Sequence, residues 1–204
     1  MKSIFTAIFL LASAICAAAQ QPTPTPATDK DQDKSGMTSN GYVRPSSDER
    51  RKSYLNSVFG PVTLARVAAG AAVGSFRNRP EEWEKNAEGF GRRFASGFGE
   101  NAIRQSITFG LDEALRVDSK FYRSKKRDFG SKLSNALLST VTARNSKGKR
   151  VVGVPRIFGT LAAPVISREA WYPDRFNYRD GLRSGAISLG INAAVNLFRE
   201  LIKK

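Results

Sequence analysis

Histidine is absent from this 204-residue chain, and cysteine occurs once, at Cys16. With Cys16 inside a leader, as argued below, three chemistries drop out together: the imidazole general base, the thiolate nucleophile and nitrogen- or sulfur-ligated zinc. Acid is scarce as well, with 18 Asp and Glu against 33 Lys and Arg and a formal net charge of +15. An enzyme built here would have to work with carboxylates, Ser, Lys or Tyr. At about 100 to 200 residues per domain, the length fits one domain with room for a core that needs no disulfides.

What is present begins with an export signal. Met1-Lys2-Ser3 gives a positive start, Ile4 to Cys16 is an uncharged and mostly apolar run, and Ala17-Ala18-Ala19 suits signal peptidase. Residues 1–19 are therefore expected to be a cleaved signal peptide. The competing reading, a membrane anchor, asks for about 20 apolar residues, more than this run supplies. Lipidation at Cys16 would require a small residue before it, where Ile15 stands. Residues 20–46, rich in Pro, Thr, Asp and Lys and opening on Pro22-Thr23-Pro24-Thr25-Pro26, cannot bury enough apolar area to fold. They are expected to form a disordered linker, leaving residues 47–204 as a single helical domain.

Charge is unevenly placed. Residues 117–150 hold ten basic and two acidic side chains, among them Lys120, Arg123, Lys125, Lys126, Arg127, Lys147, Lys149 and Arg150. A solvated cationic loop and a contact surface for anionic envelope material or a protein partner both fit this patch, and peripheral membrane contact is included in the second. Nucleic acid is not the expected partner, since aromatics suited to base stacking are confined to Phe121-Tyr122 and an exported chain rarely meets it.

Helix signals set the architecture. Ser46-Ser47-Asp48-Glu49 predicts an N-cap and a helix to about Phe59. Gly60-Pro61 breaks it, and Pro61 opens a second helix to about Phe76. A third is expected from Pro80 towards Arg116, with Phe90, Phe94 and Phe98 inward and the row Ala87, Gly91, Ala95 and Gly99 offering close approach to a neighbour. Because the apolar sector rotates after Glu100, either a kink at Gly97 to Gly99 or a passage of the helix from surface into core is expected, the kink first. Further helices are read over about Asp128–Thr142, Pro155–Ala170 and Arg179–Ile202, with a β-hairpin at about 141–154. The expected fold is mainly α, a compact bundle of five to six Gly/Ala-rich helices with one short hairpin. The last helix, uncharged between Arg183 and Arg199, is expected at its centre. Its stripe of Ser184, Ser188, Asn192 and Asn196 is read first as interhelix hydrogen bonding and second as the lining of a ligand cavity.

Phe59-Gly60-Pro61, Arg79-Pro80-Glu81-Glu82-Trp83, Glu88-Gly89-Phe90-Gly91-Arg92-Arg93-Phe94, Val117-Asp118-Ser119-Lys120-Phe121-Tyr122, the run Thr142 to Arg150, and Tyr172-Pro173 follow one another in a distinctive order. In that order, across about residues 58–202, the chain resembles a family of exported, uncharacterised bacterial proteins of acidobacterial type. Ser119 stands where that family has proline, and Asn145-Ser146 where it has an acid, which weakens a metal or carboxylate role at either place. The resemblance implies export and a small helical domain, and no chemistry.

Catalytic constellations are not recognisable. Glu81, Glu82, Glu84 and Glu88 suit a helix start. Asp112 and Glu113, near Arg104 and Arg116, read as ion-paired surface. Gly89-Phe90-Gly91 lacks the preceding strand and spacing of a phosphate loop. No cofactor or metal is expected. The function read from these residues is that of an exported, non-enzymatic, envelope-associated protein of the periplasm, outer membrane or cell surface. A small-ligand or lipid carrier, and a membrane-inserted helical oligomer packed through small-residue stripes, are the alternatives.

Overall fold

The computed structural model describes residues 42–124 and 128–202. The expected signal peptide, all but the end of the linker, and Lys125, Lys126 and Arg127 lie outside them. Six α-helices are described: α1 Ser47–Phe59, α2 Pro61–Phe76, α3 Ala87–Ala114, α4 Phe129–Val141, α5 Val154–Ala170 and α6 Tyr178–Leu201. A small antiparallel sheet is ordered β1-β2-β3, from Val117–Asp118, Thr142–Asn145 and Arg150–Val152. The expected hairpin is β2-β3, with Thr142 opposite Val152; β1 joins it through Val117 opposite Asn145.

Local chemistry sets the helix ends. Ser46 and Glu49 form a reciprocal capping box, at 3.3 Å and 2.9 Å, and so satisfy two orphan donors of α1. Pro61 opens α2 where no amide hydrogen is needed. Asn86 caps α3, Asp128 caps α4, and Asn177 with Asp180 boxes the start of α6. The third helix does not start at Pro80. Residues Glu81–Trp83 make one 3-10 turn instead, because the Arg93 guanidinium gathers the carbonyls of Arg79, Pro80, Trp83 and Glu84 around itself.

α3 then runs as one continuous helix through Gly97 to Gly99. Its inward row is Gly89, Arg93, Ser96 and Asn101, while Ala87, Gly91 and Ala95 face outward and Gly91 has open space beside it. Phe90 is exposed and Phe94 and Phe98 are half-buried. The close approaches that small residues permit occur elsewhere. A Cβ on Gly159 would meet Thr108 Oγ1 at 2.5 Å, and one on Gly181 would meet Val165 Cα at 2.6 Å.

Helices pack in the series α2, α3, α5, α6, α4, each mainly against the next, with α1 against α2 and α3. α6 is thus not central. It turns Gly181, Gly185, Asn196 and Glu200 inward and leaves Ile187, Ile191, Val195 and Phe198 exposed, Phe198 at 64%. The reason is that a helix carrying one stripe of small and polar residues can approach α5 and α4 most closely through that stripe.

The same inversion holds throughout. Among the described residues the buried set counts thirteen polar or charged side chains and, besides Pro80, Pro155 and Pro164, eight apolar ones, whereas twenty-five large apolar side chains are exposed. Soluble domains reverse that balance, so the packing faces here are polar and the outer faces oily.

Candidate functional site

One end of the bundle, formed by the C-terminus of α3, the three strands and the start of α4, carries the basic region. Asn145 builds the hairpin turn: its Oδ1 accepts from the backbone N–H of Lys147 and of Lys149, both at 3.0 Å, and Gly148 takes a left-handed φ of 71°. Lys147 and Lys149 are thereby held exposed at the tip, and Lys120 and Arg123 are exposed nearby in sequence to β1. Arg150 is only partly free, since its guanidinium donates to Asn135 Oδ1. Arg144 is turned inward and lies over the rings of Tyr122 and Tyr42, 4.9 Å and 5.5 Å from their centroids. The structure therefore gathers Lys120, Arg123, Lys147, Lys149 and Arg150 at one end of the fold.

Beneath them lies a buried polar node that sequence reasoning missed. Asp118 accepts from Tyr42 Oη at 2.9 Å, Tyr122 Oη at 2.5 Å and the Lys120 amide at 2.8 Å. Burial and the Asp118 carboxylate together push both tyrosine hydroxyls well above their ordinary range, which keeps them as donors. Tyr42 ties the chain's N-terminal approach to this end. Arg44 and Arg50 reinforce the tie through Glu113, at 3.7 Å and 2.5 Å. The partners expected for Asp112 and Glu113 are accordingly corrected, because Arg104 pairs with Glu100 and not with either of them.

Asp112 accepts from Ser119 Oγ at 2.7 Å and Ser119 N at 3.2 Å. A serine beside a carboxylate has the form of a nucleophile and base, but Ser119 is 5% exposed, so the pair pins β1 to the end of α3. Burial pushes the Asp112 carboxyl up to about 6, against the pull of the Ser119 hydrogen bonds. A carboxyl raised on folding favours the folded state most at pH below its unfolded value and loses that contribution as pH rises through about 6. Unfolding free energy should fall by about 2–3 kcal/mol between pH 4 and pH 7 from this group. Denaturant titration across that range checks it, and Asp112→Asn should flatten that part of the profile; an unchanged slope in the variant would refute the assignment.

Two further nodes run down the interior. Glu100 accepts from Arg104, Arg168 and Ser167, each at 3.2 Å, and Arg168 also donates to Ser184 Oγ at 3.1 Å. Glu200 accepts from the Ser124 amide at 2.8 Å and from Asn135 Nδ2. Asn196 Nδ2 donates to Thr140 Oγ1 at 3.2 Å. Ser184 and Asn196 thus spend their polar atoms between helices, while Ser188 and Asn192 are half-buried on the same row. An open groove of about 440 Å³ borders Ser124, Ser131, Asn135 and Arg150 instead of this stripe. Glu200 was detectable in the sequence, since it continues the spacing of four through 184, 188, 192 and 196. Arg93 carried no such signal.

No family model, no curated protein and no solved structure matches this chain.

Proposed function

We propose that the chain is an exported, non-enzymatic helical protein of the cell envelope whose outer helix faces lie in lipid and whose basic region meets anionic envelope material. The observation that carries this reading is the inverted polarity: ion pairs and amides inside, Leu, Ile, Val and Phe outside. In water that arrangement forfeits most of the hydrophobic driving force, which comes from apolar area removed from solvent. In a bilayer it costs little, because lipid tails are as apolar as leucine, and small residues and interhelical hydrogen bonds then hold the helices together. Interior charges that face one another suit the same setting.

A single protein partner serves less well. α2 and α6 stand apart in the packing series, yet both display apolar side chains, Val62, Val73 and Phe76 on one and Ile187, Ile191 and Phe198 on the other. One partner covers one flank, whereas a bilayer covers both. By length and composition alone, Ser47–Phe76 is the one candidate membrane span among the described residues, and the extended Gly60 divides it into α1 and α2. The export signal and the resemblance expected from the sequence support a location at the periplasm, outer membrane or cell surface.

Membrane fractionation tests the proposal. The protein is expected to stay in the pellet through an alkaline carbonate wash and to enter the supernatant only with detergent. Release by carbonate alone would sink the lipid reading and leave a soluble or peripheral protein.

A further inference from the structure

The two ends of the bundle are chemically unlike. Residues 77–93 and 171–183, which form the end away from the hairpin, hold eight basic and six acidic side chains. There the charges are balanced in place, as in the 2.8 Å pair of Arg175 with Glu82. Trp171 and Tyr178 are exposed at this end, as aromatic side chains commonly are at membrane–water boundaries, while Trp83 is buried beneath Tyr172.

At the hairpin end, residues 116–124 and 128–150 hold eight basic side chains and two acidic. Neither acid is available to the cations at the surface, because Asp118 is taken up by Tyr42 and Tyr122 and Asp128 caps α4; the adjoining Asp112, Glu113 and Glu200 are held by Ser119, by Arg44 and Arg50, and by Ser124 and Asn135. Among the described residues, Lys120, Arg123, Lys147 and Lys149 make no ion pair. Beside this cationic tip the outer face turns apolar within a few residues: Val141, Val152 and Val154 are exposed, Val152 at 68%.

Between the ends the outward faces of α4, α5 and α6 are nearly free of charge. α6 has none between Arg183 and Arg199, α5 none between Arg156 and Arg168, and α4 with β2 none between Lys132 and Arg144. Away from the first and last turns, the exposed charges include Arg66 on α2 and Arg51 and Lys52 on α1. At 1.5 Å per residue the uncharged part of α6 covers about 22 Å, and long arginine stems at either side extend the reach to headgroups.

Building on the lipid reading above, we propose that the hairpin end is a binding surface for the phosphates of anionic phospholipids, engaged by Lys120, Arg123, Lys147 and Lys149. A phospholipid is favoured over polysaccharide because cation and exposed apolar side chain adjoin one another here, and only a lipid offers phosphate next to hydrocarbon.

Flotation of the purified full-length protein with phosphatidylcholine vesicles, with or without phosphatidylglycerol, tests this. Wild type should partition about tenfold or more better into vesicles containing phosphatidylglycerol, with the excess lost at high salt. The quadruple Gln variant at Lys120, Arg123, Lys147 and Lys149 should float equally with both vesicle types, while Lys85→Gln with Arg92→Gln at the other end should keep the wild-type preference. Retention of the preference by the quadruple variant, or its loss in the distal control, overturns the assignment. Equal flotation of wild type with both vesicle types refutes the headgroup site alone. Failure to float with either refutes the lipid reading beneath it.

Discussion

Replacing Arg93 with methionine should destabilise the domain by about 3 kcal/mol, among the largest effects of any single substitution here. Arg93 is 5% exposed and donates to four backbone carbonyls, those of Arg79, Pro80, Trp83 and Glu84, at 3.0, 2.7, 3.4 and 2.6 Å. No carboxylate among the described residues shares the site, so the guanidinium is a rigid fork of donors wrapped by chain. Methionine fills similar volume but donates nothing, and it leaves those carbonyls to be satisfied by water that must enter. Lysine supplies charge from one point and cannot reach a fan of four acceptors, so Arg93→Lys should recover less than half of the loss. The checking measurement is denaturant unfolding followed by tryptophan emission, because Trp83 is buried against this loop and Trp171 lies at the same end. A midpoint for Arg93→Met within about 1 kcal/mol of wild type would show that the loop holds itself.

A second large effect separates glycines that are chemically identical in sequence. Gly181→Ala should destabilise by about 1–3 kcal/mol, because its Cβ would sit 2.6 Å from Val165 Cα and 2.8 Å from Val165 N, backbone atoms that cannot swing aside. Gly190→Ala on the same helix should stabilise by up to about 1 kcal/mol, since open space surrounds that position and alanine is the better helix former. The two changes are alike in helix propensity and solvent chemistry, so thermal unfolding in one buffer reads the packing difference directly. Equal shifts of the same sign would mean that α5 and α6 do not approach backbone to backbone.

Helix boundaries were almost wholly legible because they are decided by contacts within a few residues. Ser46 with Glu49, Pro61, Asp128 and Asn177 with Asp180 are local devices, and each sits within a residue or two of an expected terminus. The hairpin followed from β-branched runs around Gly148. Where a local start was misread, at Pro80, the cause was a distant donor: Arg93 lies ten or more residues beyond most of the carbonyls it holds. Basic residues were legible as a cluster in sequence. That Arg144 stacks on two tyrosines while Lys147 and Lys149 stay out was not, since an alternating strand and a turn look alike in charge counts.

Composition, charge placement and the capping residues are properties of short stretches of chain, and they alone determined a mainly helical bundle with one hairpin, an expected export signal and a cationic segment. Which side of each helix turns inward belonged to the tertiary structure. Hydrophobic patterning assumes that oil goes inside, but α3 and α6 each carry a stripe of glycine, serine and amide side chains that allows tighter packing than leucine would. Neighbouring helices chose those stripes, and the apolar faces were left outward.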